Sequence, residues 1–150
     1  EYVIEQAGGF AKTPKKVLMG GPMMGIALYN LSVSVTKGTN ALTCFAEDED
    51  QTVAEPTCIR CGKCASVCPM KLQPVYLYMV ERKNDYEGMD KYHIMDCIEC
   101  GACTYTCPGR LHLTHSCRTG KAKMQAKMAA ERAKAEAAKA AAQAGKEEKK

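Results

Sequence analysis

The constraint that dominates this 150-residue chain is a cysteine pattern that occurs twice. Cys58-Ile59-Arg60-Cys61-Gly62-Lys63-Cys64-Ala65-Ser66-Val67-Cys68-Pro69 is followed by Cys97-Ile98-Glu99-Cys100-Gly101-Ala102-Cys103-Thr104-Tyr105-Thr106-Cys107-Pro108, and seven of the twelve positions match. Nine of the ten cysteines lie between residues 58 and 118, in a segment with few large apolar side chains. Such a segment makes a poor hydrophobic core by itself and needs another source of folding energy. Metal binding can supply it, so residues 54–120 are expected to be largely unfolded without their metal.

The spacing C-x2-C-x2-C-x3-C-P is that of iron–sulfur ligation in two-cluster ferredoxins. Three cysteines separated by two residues each let one tight loop reach three corners of a [4Fe–4S] cube. Backbone N–H groups of such a loop can point at the anionic cluster. Gly62 and Gly101 allow backbone angles that a side chain blocks, and Pro69 and Pro108 fix the exit. The fourth cysteine lies too far along to close the same cube and ligates the other one. The expected ligand sets are therefore Cys58, Cys61, Cys64 and Cys107 for the first cluster, and Cys68, Cys97, Cys100 and Cys103 for the second. Disulfides require an oxidising compartment, and the chain shows no export signal. Structural zinc uses four ligands per ion and leaves the third cysteine of each run and the final C-P unexplained.

The two runs carry different charges. Arg60, Lys63 and nearby Lys71 surround the first, whereas Asp96 and Glu99 flank the second and Ala102 replaces the lysine. Positive neighbours favour the reduced, more negative cluster, so the first is expected to have the higher potential. Between the runs, Pro74 opens a helix that continues through Glu81-Arg82-Lys83 and stops at Asn84-Asp85. A second short helix is expected from Asp90 to Met95. These elements favour a mostly helical ferredoxin-like module over a hairpin type.

Before the runs, residues 1–46 read as mixed α/β. Glu1 to Ala7 has the character of a helix end capped by Gly8-Gly9. Strands are expected at Lys16–Met19, at the alternating Leu31–Thr36, and at Ala41–Phe45, with turns at Gly20-Gly21-Pro22 and Lys37–Asn40. Residues 47–57 form an acidic linker of the solvated kind. Residues 58–118 are the cluster module. Residues 119–150 form an Ala/Lys-rich tail, helical or disordered: twelve of the 25 residues from 121 to 145 are Ala, which favours a solvated, fraying helix.

The formal net charge of +4 belongs to that tail: residues 121–150 carry nine basic and four acidic residues, which leaves the body at −1. A nucleic-acid partner is therefore not expected. The longest nearly apolar run, Val17 to Tyr29, is too short to span a bilayer, which takes roughly 20 residues. The chain opens on Glu1 without an initiator Met, and is expected to be a processed product or a piece of a longer chain. Cys44 is expected to be a plain buried thiol and Cys117 lies outside the motif. His93, His112 and His115 are surface or packing residues, and Met19, Met23, Met24 and Met79 are core fillers. No catalytic residue is assigned.

Taken together, the Gly20-Gly21-Pro22-Met23-Met24-Gly25 turn, the Val35-Thr36-Lys37-Gly38-Thr39-Asn40 turn, the Cys58–Cys64 run and the Ala/Lys tail resemble the C subunit of the Rnf electron-transport complex, in its C-terminal part. The resemblance implies an α+β chain: the end of a β-grasp domain of the soluble-ligand-binding type, then the two-cluster module and the helical tail. It implies FMN and NAD(H) sites on an upstream domain only. It also implies a peripheral place on the cytoplasmic side of a bacterial inner membrane, with the other members of the complex, ferredoxin and NAD(H) as redox partners. The chain itself would be the electron-relay segment of a Na⁺- or H⁺-translocating oxidoreductase, with no complete catalytic site. A cobalamin reductase of a bacterial microcompartment resembles the same family, and a stand-alone electron carrier or docking module is the non-enzymatic alternative.

Overall fold

The computed structural model describes residues 1–47 and 57–147, with side chains to residue 139. The acidic stretch 48–56 lies outside the described residues. The chain opens with helix α1 (Tyr2–Gln6), which ends as its glycines suggest. Gly8 and Gly9 take positive φ, and the Gly9 N–H donates to the Ile4 carbonyl at 2.9 Å. Three strands follow: β1 (Lys16–Met19), β2 (Ile26–Ala27) and β3 (Leu42–Phe45). They form an antiparallel sheet of order β2-β1-β3, with Leu18 opposite both Ala27 and Thr43. Val17 and Leu18 of the central strand are buried.

The alternating segment Leu31–Thr36 is not a strand. Both edges of β1 are already taken by β2 and β3, and alternation without a pairing partner does not make a ladder. Val33 and Val35 are left exposed. The turn after it forms as expected, with Thr39 N–H donating to the Thr36 carbonyl at 3.0 Å. Cys44 is exposed rather than buried. Met23, Met24 and Met79 also stand on the surface instead of filling a core.

The cysteine-rich unit is helical. Two one-turn helices, α2 (Lys63–Ser66) and α5 (Ala102–Tyr105), occupy equivalent places in the two runs. Between them lie α3 (Pro74–Arg82), α4 (Tyr86–Lys91) and a 3-10 turn at Ile94–Asp96. Pro74 opens α3 as the sequence indicates. The second helix starts earlier than expected, because the Asp85 carboxylate accepts from the Gly88 N–H at 2.9 Å and caps a turn beginning at Tyr86. The last element is α6 (Leu113–Glu147). It begins upstream of the composition change at Lys121, and its first turns are packed rather than solvated.

The core of this unit is small: Leu72, Leu77, Met89, Ile94, Cys117 and Met124. Two of its members come from α6, so this helix is a wall of the domain as well as a tail. Polar ties reinforce the contact. Lys123 Nζ donates to Glu81 Oε1 at 2.7 Å and to Asn84 Oδ1 at 2.6 Å, and the Lys127 ammonium lies 4.9 Å from the Tyr86 ring centre. Beyond these turns, residues 129–139 are exposed.

Candidate metal centre

The sequence repeat is a backbone repeat. Positive φ recurs at the same places in both runs: Arg60 and Glu99, Gly62 and Gly101, and Lys71 and Arg110. At Arg60 and Glu99 this bend turns the backbone N–H back onto a sulfur. Arg60 N donates to Cys58 Sγ and Glu99 N to Cys97 Sγ, both at 3.4 Å. Leu72 N reaches Cys68 Sγ at 3.4 Å as well. These are the N–H···S contacts that stabilise an electron-rich sulfur.

The eight cysteines divide between two cavities. Cys58, Cys61, Cys64 and Cys107 line the first, a cavity of about 620 Å³ that also takes in Tyr76 and Met79 of α3. Cys68, Cys97, Cys100 and Cys103 line the second, which is narrow, about 20 Å³. In each case three cysteines come from one run and the fourth from the other. Among the described residues, no three His, Cys, Asp or Glu side chains close on a single-ion site. The thiols line two cavities instead, and an all-thiol donor set suits iron–sulfur chemistry.

The second cavity has a fifth thiol. Cys117 of α6 is 1 % exposed and lines the same cavity as Cys97. Its thiol is the main reason the Cys97 pKa is pulled down to about 6, against the opposing effect of burial. The same pairing, together with burial, pushes the Cys117 thiol up. Burial raises Cys103, opposed by a hydrogen bond from Thr114. Burial also raises Cys64, opposed by the Val75 backbone N–H. Sequence reasoning missed Cys117 because it falls outside the run. The signal lay in its helical spacing from Thr114, Arg118 and Lys121.

The charge contrast read from the two runs is altered by α6. Glu99 Oε2 accepts from Arg118 Nε at 2.8 Å and Glu99 Oε1 pairs with Lys121 Nζ at 2.9 Å. Burial pushes the Glu99 carboxyl up, but hydrogen bonds from Arg118 and Lys121 outweigh it and hold the group below its usual range. Lys121 Nζ also donates to the Cys97 carbonyl at 2.9 Å. The negative charge assigned to the second run is therefore paired. His93, His112 and His115 are exposed.

The glycine-rich turn of the first unit reaches this same site. Gly25 N–H donates to the Gly21 carbonyl at 2.7 Å and closes the turn. Arg118 Nη2 donates to the Met24 carbonyl at 3.0 Å. A Cβ on Gly101 would meet the Met23 carbonyl at 2.8 Å. The Gly20–Gly25 turn therefore packs against the second cysteine run, with Arg118 spanning from Glu99 to the turn.

Known proteins share this arrangement of sequence. Residues 57–111 match the 4Fe-4S dicluster domain family. The chain is 41 % identical over 126 residues to the C subunit of the Na(+)-translocating ferredoxin:NAD(+) oxidoreductase complex of Acetobacterium woodii, covering 84 % of this chain and 28 % of that protein. The chain is homologous to the C subunits of ion-translocating oxidoreductase complexes. It is 40 % identical over 94 residues to the C subunit of the proton-translocating ferredoxin:NAD(+) oxidoreductase complex of Clostridium ljungdahlii, covering 62 % of this chain and 21 % of that one. To the C subunit of the ion-translocating oxidoreductase complex of Rhodobacter capsulatus it is 42 % identical over 127 residues, 85 % of this chain and 24 % of that one. The chain thus spans about a quarter of the length of these relatives. Among the described residues no helix is long and apolar enough to cross a membrane.

Proposed function

We propose that this segment is the electron relay of a membrane-associated, ion-translocating ferredoxin:NAD oxidoreductase complex. Two [4Fe–4S] clusters are held in crossed fashion, one by Cys58, Cys61, Cys64 and Cys107, the other by Cys68, Cys97, Cys100 and Cys103. The observation that carries this reading is the division of the eight cysteines between two cavities, each completed from the opposite run. When bound, each cluster supplies a one-electron couple between its 2+ and 1+ states. The chain's own part is to fix the sulfurs, to aim the N–H groups of Arg60, Leu72 and Glu99 at them, and to keep the two sites adjacent through the shared runs. No acid, base or nucleophile is needed in this segment.

Electrons then pass singly between a flavin and NAD(H) site on the remainder of the protein and partner redox proteins of the complex. The segment is peripheral, on the cytoplasmic side of the membrane. Residues 1–46 are the end of a β-grasp domain, a reading supported by the three-stranded sheet.

Crossed ligation has a direct test. Cys61→Ala and Cys100→Ala define by iron content and electron paramagnetic resonance what loss of each cluster looks like. Cys107→Ala, although in the second run, is expected to reproduce the Cys61→Ala spectrum. A spectrum matching Cys100→Ala instead overturns the assignment.

A further inference from the structure

One face of α6 is polar and partly buried, and specific in what it meets: Thr114 and Cys117 line the second cavity. Thr114, Cys117, Arg118 and Lys121 follow the i, i+3, i+4, i+7 spacing of one helix face. Arg118 and Lys121 hold Glu99, as described. Thr114 and Cys117, at 8 % and 1 % exposure, meet sulfurs. Thr114 Oγ1 lies 3.6 Å from Cys103 Sγ and 2.8 Å from Thr104 Oγ1, and Thr114 N donates to Thr104 Oγ1 at 2.8 Å. Cys117 lines that cavity together with Cys97, its thiol shut away from solvent.

Ligation fixes the direction of these bonds. A ligating cysteine has lost its proton and can only accept. Thr114 must then give its O–H to Cys103, so the hydrogen between the two threonine oxygens comes from Thr104. By the same argument a hydrogen bond between Cys117 and Cys97 takes its proton from Cys117. The result is two side-chain donors beside two ligand sulfurs of one cluster. Backbone N–H groups reach sulfurs at both sites, Arg60 to Cys58 at the first and Glu99 to Cys97 and Leu72 to Cys68 at the second; the side-chain hydroxyl contact to a sulfur is at the second.

We propose that Cys117 and Thr114 are positioning residues that set the potential of the second cluster, by donating S–H and O–H hydrogen bonds to the sulfurs of Cys97 and Cys103. Burial in a medium of low polarity disfavours the reduced cluster, which carries the extra negative charge. Hydrogen bonds to its sulfurs offset that and raise the potential. The second site is the more enclosed of the two, and it is the one supplied with side-chain donors. This inference rests on the proposed ligand sets.

The test is a redox titration of the full chain with its clusters installed, followed by electron paramagnetic resonance, with the second signal identified by its loss in Cys100→Ala. Cys117→Ala and Thr114→Val are each expected to lower the midpoint of the second cluster and leave the first in place. Cys117→Ser, which keeps a donor, is expected to retain most of the wild-type value. Where Cys117→Ala loses the cluster outright, Cys117→Ser and Thr114→Val decide. Unmoved midpoints in the variants that keep both clusters overturn the proposal, as does a Cys117→Ser shift equal to that of Cys117→Ala. Iron for a single cluster in the wild-type chain would instead overturn the ligand sets, before any variant is compared.

Discussion

The two cysteine sites share a sequence pattern and a backbone path, yet they stand in different surroundings. At the first, Cys58 and Cys61 are exposed, the cavity is wide, and the nearby Arg60, Lys63 and Lys71 all face solvent. At the second, α6 closes one side, the Gly20–Gly25 turn reaches the loop, and Glu99 is locked between two cations. Duplicating a ligand loop therefore duplicates the chemistry of the donors but not their environment. The environment comes from α6 and from a turn of the preceding unit, both outside the repeat.

The largest expected effect is common to both sites. Chelating iron from the full chain should abolish hydrogen-exchange protection across α3 and α4, around Leu77 and Met89, because the shared core is too small to stand alone. Protection that survives in a demonstrably iron-free sample would break the idea that the clusters hold this unit together. A smaller effect should separate the sites. Gly62 and Gly101 are equivalent in the repeat, with φ of +75° and +85°. Alanine at either costs about 1–2 kcal/mol for the left-handed backbone. Around Gly62 a Cβ would meet nothing within 4 Å, whereas at Gly101 it would run into the Met23 carbonyl. Gly101→Ala should therefore lose about 1–3 kcal/mol more, measured as an earlier denaturant midpoint for bleaching of cluster absorbance. Equal midpoints would mean that the glycine-rich turn does not press on the second run. The smallest effect is electrostatic. Arg60→Glu should lower the first midpoint only slightly, since an exposed charge is screened. Glu99→Gln, at a partly buried site, should raise the second midpoint by more. The reverse order in a redox titration would show that solvent exposure does not govern these shifts.

The cysteine repeat was legible because its spacing is local: four cysteines at fixed offsets within each run, with positive φ recurring at the same places, need no knowledge of the rest of the fold. The same holds for α1 with its glycine end, for β1 and β3, and for Pro74 opening α3. What failed was long-range or two-sided. Leu31–Thr36 alternates like a strand, but whether a strand forms depends on a free neighbouring edge, and β1 has none. The helix expected at Asp90–Met95 begins at Tyr86 instead, because Asp85 both stops one helix and caps the next. Composition marked the tail from Lys121, yet the informative part of α6 lies before it, at Leu113 to Gly120, where buried Leu113 and Cys117 meet the domain. Charge counted within the runs likewise missed Arg118 and Lys121, which belong to that helix.

The crossed ligand sets proposed above would also dictate an order of assembly. A ribosome delivers the chain from one end, and the first cavity has no fourth thiol until Cys107 has been made. At ordinary synthesis rates that wait lasts on the order of seconds. In that interval Cys58, Cys61 and Cys64 form an open three-thiol loop, able to accept metal but not to enclose it. Neither site can be finished before the other run exists, and the second is not walled in until Leu113 and Cys117 follow. On those ligand sets completion of either site is a late event, and a chain truncated anywhere before Cys103 completes neither.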